Sequence, residues 1–253
     1  MSGGAAMAAP RILTPEWRAP RSVRAAFTLR DGGVSAAPFD SLNLGARVGD
    51  SPAAVAENRR RVREGLNLPA EPAWLEQVHG TRVADLDAPE EHGGAGADAV
   101  VTRRAGRVCA VQVADCMPVL FAARDGSAVG VAHAGWRGLA AGVLEATVAT
   151  LAAAPGELIA WLGPAISARH FEVGSEVRQA FLERDPAASG AFTPNDRGRW
   201  QCDLGALARR RLAALGVAEV SGGSCCTYAD PVRFFSFRRD GRCGRMAALI
   251  WLD

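Results

Sequence analysis

Three side chains carry most of the chemistry this 253-residue sequence can offer: His79, Cys116 and His133. His79 stands in Gln77-Val78-His79-Gly80, directly after a strand-like segment. Cys116 ends Ala114-Asp115-Cys116, which closes the apolar run from Val108, and His133 opens His133-Ala134-Gly135-Trp136-Arg137-Gly138, where a strand gives way to a helix. All three therefore fall at strand ends, where loops can gather them into one cleft. Two neutral imidazoles and a thiolate suit zinc, and three protein ligands leave a fourth position for water or substrate. Zinc would favour the thiolate and lower the pKa of a bound water to about 7. Asp115 is placed to orient a ligand or shuttle a proton. Other readings use the same residues. Cys116 and His133 alone could act as nucleophile and base, and the His/Cys/His set with Met117 as axial sulfur matches a blue-copper centre. Oxygen reduction at copper, however, needs further histidine-bound coppers, and with four histidines in all only His92 and His170 remain to supply them. The plain structural alternative makes each residue a satisfied polar group or a small buried filler.

An anion would find donors close by. Gly135 and Gly138 bracket a helix start, whose free N–H groups and positive dipole end can hold phosphate, with Arg137 as a bidentate fork. The same glycines could serve close packing instead. Arg30 and the Arg238-Arg239 pair enlarge the room for phosphate, whereas Arg209 to Arg211 read as a solvated helix face.

The elements that must position these residues follow from apolar patterning and turn signals. Val23 to Leu29, Trp74 to Val78 and Arg82 to Leu86 read as strands, and Ser51-Pro52 starts a helix running to about Gly65. A short loop spans Pro89 to Gly96. Val108 to Val113, Pro118 to Ala122 and Ala128 to Ala132 are apolar on both faces, which predicts strands covered on both sides. Trp136 to Ala153 has helical spacing, Leu158 to Leu162 is a strand, and a helix lies near Glu176 to Glu183. Asp203 caps another helix that Gly216 ends, and Ala247 to Leu252 is a buried strand. The mixture lacks a βαβ rhythm. It predicts a mixed α/β (α+β) chain, a single compact layered domain of mixed sheets flanked by helices, over residues 21–253, behind a loose tail at 1–20.

Composition narrows the function classes. All 29 basic residues are arginines, so Schiff-base and pyridoxal-phosphate lysines and a Walker loop are excluded. A formal charge of +2 gives no reason to expect nucleic acid or a membrane as partner. The six cysteines form no C-x-x-C pair and no dense framework. No signal-peptide pattern and no run of about 18 apolar residues is present. The expectation is a reduced, cytoplasmic enzyme, monomer or homodimer.

Motif order then resembles the YfiH/laccase-domain family, also called multicopper polyphenol oxidase or peptidoglycan editing factor proteins. The likeness runs from Thr28 to Leu252 through Arg30-Asp31-Gly32-Gly33-Val34-Ser35, Leu42-Asn43-Leu44-Gly45, Asn58-Arg59, the three motifs above, Leu162-Gly163-Pro164-Ala165-Ile166, Cys226-Thr227, Ser236-Phe237-Arg238-Arg239-Asp240 and Gly244-Arg245. The family pattern commonly has a second threonine where Leu29 stands. The resemblance implies zinc on His79, Cys116 and His133, with copper the lesser alternative. It implies a compact layered α/β fold grouped with cytotoxic-necrotizing-factor-like cysteine hydrolases. It further implies a purine nucleoside phosphorylase acting on adenosine, inosine, guanosine or methylthioadenosine with phosphate, and able to deaminate adenosine. Cys116, His133 and Asp115 would then be catalytic, and Arg30, Asn43, Arg59, Arg137 and Arg238 would hold substrate or phosphate. A Cys–His hydrolase acting on peptidoglycan precursors is the competing reading.

Overall fold

The computed structural model describes residues 9–88, 96–217 and 219–253. The strands are β1 (Ile12–Leu13), β2 (Val23–Thr28), β3 (Ala73–Trp74), β4 (Val83–Asp85), β5 (Ala99–Thr102), β6 (Val108–Val113), β7 (Met117–Ala123), β8 (Val129–Ala134), β9 (Leu158–Leu162), β10 (Glu172–Val173), β11 (Phe192–Pro194), β12 (Trp200–Cys202), β13 (Glu219–Gly222) and β14 (Met246–Leu252). Helix α1 (Pro52–Gly65) precedes β3, α2 (Trp136–Ala141) and α3 (Val143–Leu151) follow β8, α4 (Ser175–Leu182) follows β10, α5 (Leu204–Leu215) follows β12, and α6 (Phe237–Asp240) precedes β14.

Two large sheets face each other. One runs β1-β2-β14-β6-β3 and the other β13-β9-β7-β8-β5-β4, with a small β10-β12-β11 sheet apart. Period-two alternation decides which core each side chain enters. In β14, Met246, Ala248, Ile250 and Leu252 join the cluster between the sheets, whereas Ala247, Leu249 and Trp251 pack outward with Val62 of α1. In β7, Leu120 and Ala122 point between the sheets, and Val119 and Phe121 point outward to Val143 and Leu144 of α3 and Leu207 of α5. The layers are therefore helix, sheet, sheet, helix. Every residue of β7, β8 and β14 is buried, which is why these strands carry no polar alternation.

Local chemistry places the ends. The Ser51 hydroxyl accepts from the Ala54 N–H and Pro52 takes the first helical position of α1. The Asp203 carboxylate caps α5 and Gly216 terminates it at φ +90°. The helix expected from Trp136 to Ala153 is two helices, because Gly142 adopts φ +111° and ends α2 before α3 begins. The loose tail drawn to residue 20 also needs correction for its described part. Ile12–Leu13 pairs antiparallel with Thr28 and Phe27, and Leu13, Trp17 and Ala19 pack against the inter-sheet core. The loop at 89–95, with His92, lies outside the described residues. Among the described residues no helix is long and apolar enough to cross a membrane, and all six cysteines are free.

Candidate metal centre

Strand register builds the site. β7 and β8 run antiparallel with Pro118 opposite His133 and Met117 opposite Ala134, so Cys116 at the entry of β7 meets the exit of β8. β5 pairs with the other edge of β8, Ala99 opposite Ala132, which sets Asp98 beside His133. β3 runs parallel to β6. Beyond it, the Gln77 side chain mimics a strand, donating to the Gln112 carbonyl at 2.9 Å and accepting from the Gln112 N–H at 2.7 Å. That lock delivers His79 to the same end of the sheets.

The imidazoles of His79 and His133 and the thiol of Cys116 converge so that their ligand atoms all lie within 4.8 Å of one another. His79 Nε2 is 3.9 Å from Cys116 Sγ, and the two rings meet edge to face with centroids 4.8 Å apart. Depth is graded, with His133 buried, Cys116 intermediate and His79 exposed. Gly135 is required by space, since a Cβ there would lie 2.8 Å from Cys116 Sγ and 3.2 Å from the His79 ring. Gly138 is equally constrained, its Cβ falling 2.9 Å from the Gly80 carbonyl.

One carboxylate holds both histidine arms. Asp98 is fully buried. Its Oδ1 accepts from His133 Nδ1 at 2.8 Å and from the His79 N–H at 2.9 Å, and its Oδ2 accepts from the N–H groups of Val78 at 3.1 Å and Gly80 at 2.6 Å. The three N–H bonds hold the turn in which His79 adopts φ +61°, a left-handed conformation uncommon outside glycine. The bond to Nδ1 leaves Nε2 of His133 as the nitrogen free to ligate.

Electrostatics favour the charged forms of Cys116, His133 and Asp98. Burial alone would push the Cys116 thiol up, but the charge of His133 and hydrogen bonds from His133 and His79 bring it down to about 6. Burial likewise pushes His133 down, while the Cys116 charge and the Asp98 hydrogen bond hold it up at about 9. For Asp98 burial is again opposed, and the bonds from His133 and Gly80 keep its carboxyl below the ordinary range. Elsewhere burial pushes the Cys202 thiol up to about 12. In metal-free protein, Cys116 should therefore be the thiolate at neutral pH. Its alkylation by iodoacetamide, followed by mass spectrometry, is expected to fall away as pH drops through about 6. A midpoint near the ordinary value of about 8.5 would contradict this.

Asp115, expected to serve catalysis or orient a ligand, does neither by contact. Its carboxylate accepts from the Thr227 hydroxyl at 2.6 Å, the Ser236 hydroxyl at 3.0 Å and the Arg238 N–H at 2.6 Å, while its carbonyl accepts from the Ile166 N–H at 3.0 Å. It knots four segments behind Cys116, and Asp98 takes the orienting part. The five expected substrate holders separate in the same way. Arg59 lines the cavity onto which His79, Cys116 and His133 open. Asn43 is fully buried and spends its amide on Gly45, Asp50 and the Arg245 N–H. Arg30 donates to the carbonyls of Asp40 and Pro231 and lies over Phe235. Arg137 stacks on its neighbour Trp136, and Arg238 donates to the Glu172 carbonyl over Phe171. None of these four lines the cavity, and α2, one and a half turns long, offers no developed anion site. His170 stacks on Tyr228.

That cavity measures about 490 Å³, within the range of small-molecule sites. Trp74, Phe237, Arg245 and Arg47 join the trio and Arg59 on its walls. Asp98, Phe237 and Arg245 are the residues whose part was missed. Asp98 belongs to no motif, and the other two stood in motifs without a role.

The family described as multi-copper polyphenol oxidoreductase laccase matches residues 24–253. A Pseudomonas aeruginosa protein named purine nucleoside phosphorylase is 54% identical over 242 residues, covering 95% of this chain and 98% of that one. Purine nucleoside phosphorylase YfiH of Escherichia coli is 51% identical over 242 residues, covering 96% and 99%. The crystal structure of a Neisseria meningitidis protein described under DUF152 superposes with a TM-score of 0.91 at 49% identity, covering 96% of this chain and 99% of that one.

Proposed function

The chain belongs to the multi-copper polyphenol oxidoreductase laccase family, and on that premise we propose that it is a zinc-dependent purine nucleoside phosphorylase that also deaminates adenosine. The names of relatives at about half identity support the first activity. One observation carries the reading: His79, Cys116 and His133 converge on the wall of a cavity that also offers aromatic faces and guanidinium groups. The donor set fits zinc, which both imidazole and thiolate suit, and Asp98 holds the His133 ring from behind through Nδ1. When bound by His79, Cys116 and His133, zinc supplies Lewis acidity beside the cavity.

The chain's own residues do the rest. Phosphorolysis places a phosphate oxygen on the ribose C1′ as the purine nitrogen leaves with the bonding pair, so both partners must be held in line. Arg59 offers positive charge to the phosphate. Trp74 and Phe237 present aromatic surface to the base, and Phe237 is 58% exposed at the rim, with the Arg245 guanidinium 5.9 Å from its ring centroid. Adenosine, inosine, guanosine and methylthioadenosine share that base geometry and are the proposed substrates. Copper chemistry is the weaker assignment despite the family description, since four histidines cannot serve the additional copper sites of a laccase.

A second reading has one observation in its favour. The low thiol pKa of Cys116 beside His133 is what a Cys–His hydrolase of peptidoglycan precursors needs. Purified zinc-loaded protein given adenosine and inorganic phosphate should release adenine and ribose 1-phosphate, with inosine as the deamination product, and chelation should stop both. Activity on a muropeptide that survives chelation but not alkylation would favour the hydrolase instead. Absence of any base release from adenosine and inosine would end the phosphorylase reading.

A further inference from the structure

We propose that Arg59 and Arg245 together form a two-guanidinium subsite for the phosphate co-substrate, an assignment that rests on the phosphorylase reading. Both line the cavity that holds the metal ligands. Both also lean on one dipeptide. Arg59 donates to the Leu44 carbonyl through Nε at 3.1 Å and Nη2 at 2.9 Å. Arg245 accepts the Leu44 N–H on its own carbonyl at 3.0 Å. Its side chain passes so close that a Cβ at Gly45 would lie 2.7 Å from Cγ. Gly45 thus lets the Arg245 stem cross into the cavity beside Arg59.

What each guanidinium leaves unspent points to the ligand. A guanidinium carries five N–H donors. Arg59 has its plane fixed over Trp74, 4.3 Å from the ring centroid, and its Nη1 makes no hydrogen bond among the described residues. Arg245 gives Nη1 to the carbonyls of Cys243 at 2.9 Å and Gly244 at 3.0 Å, leaving Nε and Nη2 without a partner among the described residues. No described carboxylate lies within 4.0 Å of either, whereas Arg47 on the same wall is already paired with Glu76. Burial pushes the Arg59 pKa down, and the more distant charge of Glu71 only partly offsets it. Two partly buried like charges, one with its Nε/Nη2 edge free and the other with Nη1 free, favour a doubly charged tetrahedral oxyanion between them.

The test is direct binding of inorganic phosphate to the full chain by calorimetry, alongside steady-state kinetics. Arg245→Met and Arg59→Met should each weaken phosphate binding about 10- to 100-fold, the loss of a charge-assisted bond or pair. The phosphate KM should rise in step while the nucleoside KM stays near wild type. Arg245→Lys, which keeps charge without the fork, should fall between, and an unchanged Tm confirms that the variants fold. Wild-type phosphate affinity in both variants overturns the proposal. So does an equal rise in nucleoside KM, or adenosine 5′-monophosphate displacing phosphate at far lower concentration, which would make this a nucleotide pocket. Phosphate binding that depends on both arginines in a protein without phosphorolysis would uphold the oxyanion subsite and remove the reading beneath it.

Discussion

Replacing Cys116 with serine is expected to strip zinc from the chain and to abolish phosphorolysis. The thiolate is the one anionic donor of the three, and serine stays protonated where the thiol is ionised at neutral pH. Changing a group behind a metal ligand typically costs about 10- to 100-fold in affinity, and removing the charged ligand itself should cost more. The fold should survive, because Cys116 is only partly buried and the knot around Asp115 that anchors its segment does not use the sulfur. Metal content per chain after dialysis, a competitive zinc titration and base release from adenosine together check this. A serine variant that keeps stoichiometric zinc would remove Cys116 from the ligand set. Gly135→Ala should give a related loss without replacing a ligand residue, since its Cβ would press on the Cys116 sulfur at 2.8 Å.

Asp98→Asn is expected to weaken zinc binding by at least the same 10- to 100-fold, although Asp98 is not one of the three converging donors. Asp98 collects four donors on two oxygens, two on each. An amide flipped one way sets its NH₂ against His133 Nδ1 and the His79 N–H. Flipped the other way it opposes the N–H groups of Val78 and Gly80. Either orientation leaves buried donors unsatisfied at about 1–3 kcal/mol each, so a lower Tm should accompany the lost affinity. Faster amide exchange at residues 78–80 would distinguish this from simple destabilisation. Wild-type zinc affinity in the asparagine variant would show that the histidine arms do not depend on Asp98.

How much of this was legible in the sequence varied with the range of the interaction. The trio was legible because each member stands in a motif at a strand end, and strand ends are where loops meet. The limits of α1 and α5 were legible because Ser51, Pro52, Asp203 and Gly216 act on their own helix ends. Doubly covered strands were legible from unbroken apolar runs. Asp98 was not, since its partners sit 18 to 35 residues away and only the pairing of β5 with β8 brings them together. The partners of Asp115 were hidden for the same reason. Proximity to Cys116 in the chain pointed to chemistry, whereas Thr227 and Ser236, more than a hundred residues on, claim its oxygens. Arg30, Asn43 and Arg238 spend hydrogen bonds on loop backbone, and a motif does not announce whether it holds a loop or a ligand.

The two buried aspartates bind hydroxyls, peptide N–H groups and one imidazole, not arginines. Small ions in the medium weaken contacts between exposed charges and scarcely reach bonds of this buried kind. Concentrated salt will thus loosen the Arg47–Glu76 link at the mouth long before it disturbs the interior scaffold. A cell whose osmolarity swings widely would find the ligand geometry unmoved while the entrance relaxes.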